Sequence, residues 1–290
     1  MMSNREVLLV LHPHRPEAQI VAQEIVSVLS KEGITFLTIT PTKIDGLIAI
    51  HREELPAHLP NIELALVLGG DGTILRGAEQ VHGTNTPVLG INLGHVGFLA
   101  QIGRPSTTSI IDAIRSKNYT TEKRMTLAYQ VQREGKVVAH GWALNEVTIE
   151  RNTEAMIELF VQVDHRPLSR WGCDGVICAT PTGSTAYAFS AGGPVVWPEV
   201  EALVLLPLAA HALFSDPMVI SPDSEIAIDV ESDVGALSAD GLRKFALLEK
   251  DRVVLSSDKS FINLAHIESA PFADRLVAKF KLPVDGWRGE

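Results

Sequence analysis

The sequence predicts two parts in one chain: an α/β part with a parallel sheet over residues 1–123, and an all-β part of sandwich type after it. Three observations predict this. Short apolar runs alternate with helix-period patterns as far as Val88–Ile91, the period falls to two beyond Thr120–Arg124, and turn residues then punctuate the chain.

Val7–Leu11 is an apolar run of buried-strand type, closed by His12-Pro13-His14-Arg15-Pro16. The spacing of Ile20, Val21, Ile25, Val28 and Leu29 predicts a helix with these residues on its inner face and Gly33 as its stop. Ile34–Ile39 reads as a second strand, and Pro41–Pro60 as loop with some helix. Leu64–Leu68 is a third strand that ends abruptly in Gly69-Gly70-Asp71-Gly72-Thr73; a short helix to Val81 and a strand at Val88–Ile91 follow. Strands separated by helices imply parallel pairing through crossovers, and such sheets bind ligands at the carboxyl ends of their strands. The glycine-rich run sits at one of those ends.

Beyond Thr120, Leu127, Tyr129 and Val131 alternate with polar or small residues, as do Ile157, Leu159, Val161 and Val163, and later Ile226, Ile228 and Val230. Turns are expected at Glu134-Gly135, near Pro222-Asp223 and at Asp240-Gly241. Phe272, Leu276, Val277 and Phe280 then mark a last amphipathic helix. The expected divisions are 1–123, 124–267 and a tail at 268–290.

Composition excludes several classes. With 290 residues, 46% of them hydrophobic, and a mean hydropathy of +0.15, the chain is globular and needs no disulfide or metal staple. A net charge of −10 disfavours a nucleic-acid binder. The longest near-apolar stretch, Ala202–Phe214, is broken by Pro207 and His211 and is shorter than the ~18 residues a membrane span takes. Met1–Glu6 leads into Val7–Leu11 without a signal-peptide pattern, and Cys173 and Cys178 are too few to frame a fold. A cytoplasmic, reduced protein is expected, with no metal held by a cluster of its own side chains.

The chemistry concentrates in three segments. In Gly69–Thr73, the glycines let backbone N–H groups approach an oligophosphate, with the next helix N-terminus adding positive charge. A carboxylate there repels such a guest unless it takes a proton from an attacking hydroxyl or helps to hold Mg²⁺. Asp71 otherwise reads as a helix N-cap. The second segment, from Asp174-Gly175 through Thr180–Tyr187 to Ser190–Pro194, is rich in hydroxyls and glycines and suits a sugar, amide or phosphate, with Tyr187 able to stack on a flat ring. Its other reading is a polar loop over the sandwich. The third, Asn145-Glu146, could grip ribose hydroxyls or form an ordinary polar strand edge, and Asp240-Gly241 reads first as a hairpin turn.

Taken in order, these segments resemble the bacterial NAD kinase family. The resemblance rests on LGGDGTIL at Leu68–Leu75, INLGHVGFL at Ile91–Leu99, NEVTI at Asn145–Ile149, DGVICATPTGSTAYAFSAGGPV at Asp174–Val195, SPDSEI at Ser221–Ile226 and SADG at Ser238–Gly241. GGDGT is shared with lipid kinases and phosphofructokinase-like enzymes; the TPTGSTAY run is far more specific.

The resemblance implies a Rossmann-like N-terminal domain, a C-terminal β-sandwich domain, a tail that returns to the first, and a site between the domains. It implies transfer of the γ-phosphoryl group of ATP, with Mg²⁺ or another divalent cation, to the 2′-hydroxyl of the adenosine ribose of NAD, making NADP. Inorganic polyphosphate is an alternative donor in some relatives. By the same resemblance, Asp71 is the base, while Gly69, Gly70, Gly72 and Thr73 form the phosphate loop, with Arg76 near it. Asn145 and Glu146 hold the adenosine ribose region, Asp174 meets the nicotinamide end, Thr185, Ala186, Tyr187 and Ser190 line the NAD pocket, and Asp240 is a further site carboxylate. A homodimer or homotetramer is implied as well.

One departure stands out. Many bacterial relatives carry an arginine two residues before the Asp-Gly pair, where this chain has Gly172, with Arg170 two positions earlier. Two other readings compete with the kinase: a lipid kinase of the GGDGT group and a non-catalytic NAD(P) sensor. The first wants a basic or apolar membrane-facing patch, and the second tolerates loss of Asp71.

Overall fold

A computed structural model describes residues 5–40, 42–94, 97–100, 103, 105–232, 234–268 and 270–284. Met1–Asn4, and His95 and Val96 of the INLGHVGFL run, lie outside the described residues. The chain forms two compact units, Met1–Lys123 with Ile262–Glu290, and Arg124–Phe261. No helix among the described residues is long and apolar enough to cross a membrane.

The first unit opens with β1 (Arg5–Leu11), α1 (Pro16–Leu29), β2 (Ile34–Thr38) and β3 (Leu47–Ala49). The short α2 (Leu55–His58), β4 (Ile62–Leu68), α3 (Asp71–Val81), β5 (Val88–Ile91) and α4 (Thr107–Ser116) follow. All strand pairs here are parallel, in the order β3-β2-β1-β4-β5. The chain runs outward from β1 through β2 and β3, then returns to place β4 on the other side of β1. This reversal puts a switch point between β1 and β4, where open α/β sheets bind ligands.

Pro16 opens α1 in its first turn, where a missing N–H costs nothing, and Gly33 at φ 87° ends the short turn after it. The buried face of α1 is Ala18, Ala22, Ile25, Val26 and Leu29, with the expected Val21 and Val28 half-buried against the same core; of the expected face, Ile20 alone points out, 69% exposed. Two alanines let the helix lie close to the sheet, and hydrophobicity alone did not mark them. Ile25 and Leu29 join Val7, Leu9, Leu64 and Leu66 in the core. Truncating either to Ala would cost about 2–5 kcal/mol.

In the second unit, β6 (Thr120–Arg133, shared with the end of the first unit), β7 (Lys136–Ala143), β8 (Glu146–Arg151), β9 (Ile157–Val163), β10 (Arg166–Cys173) and β11 (Gly175–Ala179) come first. The short helix α5 (Tyr187–Ser190) leads to β12 (Leu203–Leu208), β13 (Met218–Ile220), β14 (Ile226–Val230), β15 (Gly235–Ala239), β16 (Arg243–Leu247) and β17 (Arg252–His266). One antiparallel sheet runs β13-β12-β11-β8-β15-β16; the other joins β10, β9, β14 and the start of β17 to the β6–β7 hairpin. Both sheets feed one core, with Val147, Ile149, Val176 and Leu205 from the first and Leu159, Val161, Ile228 and Val253 from the second. Period-two alternation thus leaves the odd residues of β8 inside and sends Glu146, Thr148 and Glu150 to its other face.

The chain re-enters the first unit at Ile262, earlier than the expected 268, because Leu264 and Ala265 at the end of β17 pair in parallel with Val88 and Leu89 of β5. The last helix is α6 (Phe272–Phe280). Its expected apolar face is only half-buried; the one fully buried residue is Arg275.

Candidate active site

In the first unit, the carboxyl end of β4 turns through Gly69 and Gly70 into α3. The Gly69 N–H donates to the Ile91 carbonyl at 3.0 Å, and a Cβ on Gly69 would collide with the Thr73 side chain. Gly69 and buried Thr73 therefore build the turn from within, leaving the first N–H groups of α3 at its open end. Gly70, extended at φ −81° and ψ −176°, is the N-cap, and Asp71 is the first helical residue. The capping role considered for Asp71 is thus filled by the residue before it.

The Asp71 carboxylate turns away from its own helix. Its Oδ2 accepts the Phe98 N–H at 3.0 Å and its Oδ1 the Leu99 N–H at 3.2 Å. Gly97 completes the seat, since a Cβ there would collide with the carboxyl group. Phe98 and Leu99 belong to the run after β5, so neighbouring strand ends supply the base candidate and its holder.

Cations collect around this end of the sheet. Arg76 is exposed one turn after Gly72, on the same helix face. At the end of β1, His12 donates its N–H to the Leu68 carbonyl at 3.0 Å, and the Arg15 guanidinium lies against Gly94. Arg15 has no carboxylate partner among the described residues. The His12 ring accepts the His14 N–H at Nδ1, 3.2 Å away, which places its own proton on Nε2. Burial, then Arg15, His14 and Arg76, push the His12 pKa down, so it is a neutral donor beside two fixed charges. Sequence reasoning missed His12 and Arg15; their place at the end of β1, beside the switch point, was the available signal.

In the second unit, Asn145 and Glu146 occupy the turn into β8, and other predicted residues brace that turn. Thr180 donates its N–H to the Asn145 carbonyl at 2.8 Å and its hydroxyl to the Leu144 carbonyl at 2.6 Å. Gly183 presses on the Asn145 backbone so closely that no Cβ fits. Ser184 is consumed internally, donating to the Pro181 carbonyl at 2.7 Å and accepting the Val196 N–H at 2.9 Å. Much of the hydroxyl-rich run is therefore scaffold, and Thr185, Ala186, Tyr187 and Ser190 are its outward part.

Asp240 supplies the other brace. It is the first residue of the three-residue hairpin loop Asp240-Gly241-Leu242 between β15 and β16, with φ 53° before Gly241 at φ 67°. Its buried carboxylate accepts N–H groups from Leu144 at 2.9 Å, Asn145 at 2.7 Å and Glu146 at 3.4 Å, and pairs with Arg243 at 2.9 Å. The guanidinium of Arg243 lies 4.6 Å from the Trp142 ring centroid. Burial raises the Asp240 pKa, while the three N–H groups and Arg243 pull it back.

Glu146 faces a cavity of about 340 Å³ shared with Thr148, Glu150, Arg151, Tyr187 and Ser238. Burial, and next the charge of Asp240, push its pKa up to about 7, against the Tyr187 backbone N–H. Its Oε2 and the Thr148 hydroxyl are buried and have no hydrogen-bond partner among the described residues. Such atoms take their partners from water or from a polar ligand in the cavity. Of the predicted pocket residues, Glu146 and Tyr187 line this cavity, whereas Thr185, Ala186 and Ser190 do not.

Half-exposed Asp174 pairs with Arg151 at 2.7 Å, a partner the sequence did not suggest. Arg170 is engaged elsewhere, with Glu231 at 2.9 Å and 4.3 Å from the Phe160 ring centroid, so it does not serve Asp174. Burial raises the Cys173 and Cys178 thiols to about 11 and about 12, leaving both inert. Among the described residues, no three or more His, Cys, Asp or Glu gather as a metal site.

Comparison with known proteins agrees with this anatomy. A family model for the ATP-NAD kinase N-terminal domain matches residues 7–119, and one for the C-terminal domain matches residues 144–266. The chain is 45% identical to "NAD kinase 2" of Streptomyces avermitilis, over 98% of this chain and 97% of the relative. It is 45% identical to an NAD kinase of Thermobifida fusca, over 99% and 92%. Among solved structures, yeast NADH kinase complexed with NADH superposes with a TM-score of 0.87 at 24% identity, covering 99% of this chain and 90% of that one. An NAD kinase from Archaeoglobus fulgidus in complex with ATP gives 0.71 at 24% identity, covering 95% and 98%. Neither the lipid-kinase nor the sensor reading gains support from these matches.

Proposed function

The chain belongs to the NAD kinase family, and from that premise we propose that it transfers the γ-phosphoryl group of ATP to the 2′-hydroxyl of the adenosine ribose of NAD, giving NADP. The setting of Asp71 carries this reading. A base for a ribose hydroxyl needs an oriented carboxylate with lone pairs to spare, and among the described residues each Asp71 oxygen accepts one N–H. Phosphoryl transfer otherwise needs positioning and neutralisation of charge. Arg15, Arg76 and the Nε2–H of His12, with the open N–H groups near Gly70 and Gly72, suit the donor's phosphates. A divalent cation, Mg²⁺ by preference, enters with ATP as part of that substrate.

The second unit binds NAD in this reading. Asn145 and Glu146 hold the adenosine ribose, Tyr187 stacks on a flat ring, and Thr185, Ala186 and Ser190 border the dinucleotide. Asp174 takes the nicotinamide end, with Arg151 beside it. Asp240 serves by holding the Asn145-Glu146 turn. The buried Oε2 of Glu146, without a hydrogen-bond partner among the described residues, supports a hydroxyl donor as its guest.

The test is NADP formation from NAD, ATP and Mg²⁺, with the position of the new phosphate read by ³¹P NMR and polyphosphate replacing ATP in parallel. A 2′-phosphate is expected; a product phosphorylated elsewhere, or none from folded protein, refutes the reading. We also propose a cytoplasmic homodimer or homotetramer. Light scattering should give two or four times the 31.4 kDa of one chain, and a monomer would refute the assembly.

A further inference from the structure

Resting on Asp71 as the base, we infer that Arg275 of α6 is a positioning residue that fixes the working orientation of that carboxylate through a single peptide unit. The link is short. The Phe98–Leu99 peptide donates its N–H, that of Leu99, to Asp71 Oδ1 at 3.2 Å. The carbonyl of the same peptide, that of Phe98, accepts from Arg275 Nη1 at 3.2 Å. A trans peptide is planar, with C=O and N–H pointing in opposite directions. Holding its oxygen from α6 therefore aims its N–H at Asp71. The cation also polarises the peptide and strengthens the bond on the far side.

Further contacts fix the guanidinium. Nη1 also donates to the Ala100 carbonyl at 2.6 Å, so one nitrogen clamps the chain on both sides of Leu99. Nη2 faces Nδ1 of buried His266 at 3.3 Å. Arginine has no acceptor, so His266 Nδ1 accepts and its proton sits on Nε2, 3.3 Å from Glu122 but outside good hydrogen-bond geometry. The Phe272 and Phe280 rings flank Phe98, with centroids 6.0 and 5.7 Å away. Every residue of this relay lies in the first unit.

Stability alone does not account for an arginine that is 2% exposed. Burying a cation carries a desolvation cost, and an apolar side chain of similar volume anchors a helix at least as well. What an apolar residue could not do is hold two carbonyls and thereby set the direction of an N–H.

The test measures kcat and the KM for NAD in the full-length chain for Arg275→Met and Arg275→Lys, each alone and combined with Asp71→Asn, with thermal melting beside them. Arg275→Met should lower kcat by about 10- to 100-fold, the scale of a misplaced catalytic group. Its KM for NAD should stay within about twofold, since only the transition state is affected. Arg275→Lys, a cation without the fork, should fall between the two. In the Asp71→Asn background, Arg275→Met should cost nothing further. Equal losses in both backgrounds, a loss confined to KM, or native turnover would overturn the inference. Should Arg275→Met fail to fold, Arg275→Lys in both backgrounds reads the same coupling. Native turnover in Asp71→Asn alone would instead remove the base, which separates failure of the premise from failure of the relay.

Discussion

The Asp240 carboxylate accepts the backbone N–H of Asn145 at 2.7 Å, so a hairpin turn between β15 and β16 holds the turn that enters β8. The same carboxylate takes the neighbouring N–H groups of Leu144 and Glu146 and pairs with Arg243, and so fixes where Asn145 and Glu146 point. Asp240→Ala would leave these N–H groups without their acceptor and take the buried carboxylate away from Arg243. A loss of about 3–5 kcal/mol is expected from breaking a buried pair of this kind. Urea denaturation should show it, and calorimetry at a temperature where the variant is folded should show weaker NAD binding. Undiminished NAD affinity would separate Asp240 from the Asn145-Glu146 turn.

Glu146 predicts a pH dependence. Its pKa stands at about 7 in the folded protein against an ordinary 4.5, so between these values the folded chain keeps a proton that the unfolded chain has lost. Stability therefore falls as pH rises through that window and levels off above it. Glu146→Gln should match the native protein near pH 4.5 and exceed it by up to about 3 kcal/mol above pH 7. It should also bind NAD less tightly. Denaturation at pH 5 and pH 8 checks the sign, and a native protein that gains stability across the window would contradict it.

Local pattern made much of this molecule legible. The apolar runs at Val7–Leu11 and Leu64–Leu68, and the period-two runs around Leu159 and Ile228, carry their burial in their spacing. GGDGT announced itself because glycine density at a strand end has few causes. The failures share a different cause. Ile20 lies outward and Ala22 inward, and Arg275 is the buried residue of α6, because the neighbouring surface decided which face is inside. The α4 helix escaped notice although Ser106 caps it, its side chain accepting the Ser109 N–H, and Ile110, Ile111 and Ile114 form its buried stripe.

At the site, residue types were legible and their engagements were not. Thr180 and Ser184 looked like ligand groups, yet the fold uses their hydroxyls itself. Arg151, two residues past Asn145–Ile149, pairs with Asp174 from a separate motif, and Arg15 lies against Gly94; neither pairing is written in the local pattern.

The cations beside the glycine loop give a third prediction. Arg15 has no carboxylate to lose among the described residues, so Arg15→Ala should change stability by no more than about 0.5 kcal/mol. Its KM for ATP should rise by about tenfold, the worth of one charge-assisted contact, with the KM for NAD unchanged. Initial-rate measurements varying each substrate separate the two. An unchanged KM for ATP would exclude Arg15 from the donor's phosphates.

Gly97 gives a fourth. A Cβ at this position would collide with the Asp71 carboxyl group. Gly97→Ala should leave NAD affinity near native and lower kcat by about 10- to 100-fold, because the carboxylate must shift. Native turnover in this variant would show that the seat of Asp71 has no bearing on the reaction.

Asp71 as the group that removes the proton from the ribose hydroxyl is tested by single-turnover NADP formation with the native protein and Asp71→Asn at matched NAD occupancy. NAD binding should be equal in the two, and the rate for Asp71→Asn lower by about 10²–10⁴-fold, the usual worth of a general base. NADP made at the native rate by Asp71→Asn would contradict that role.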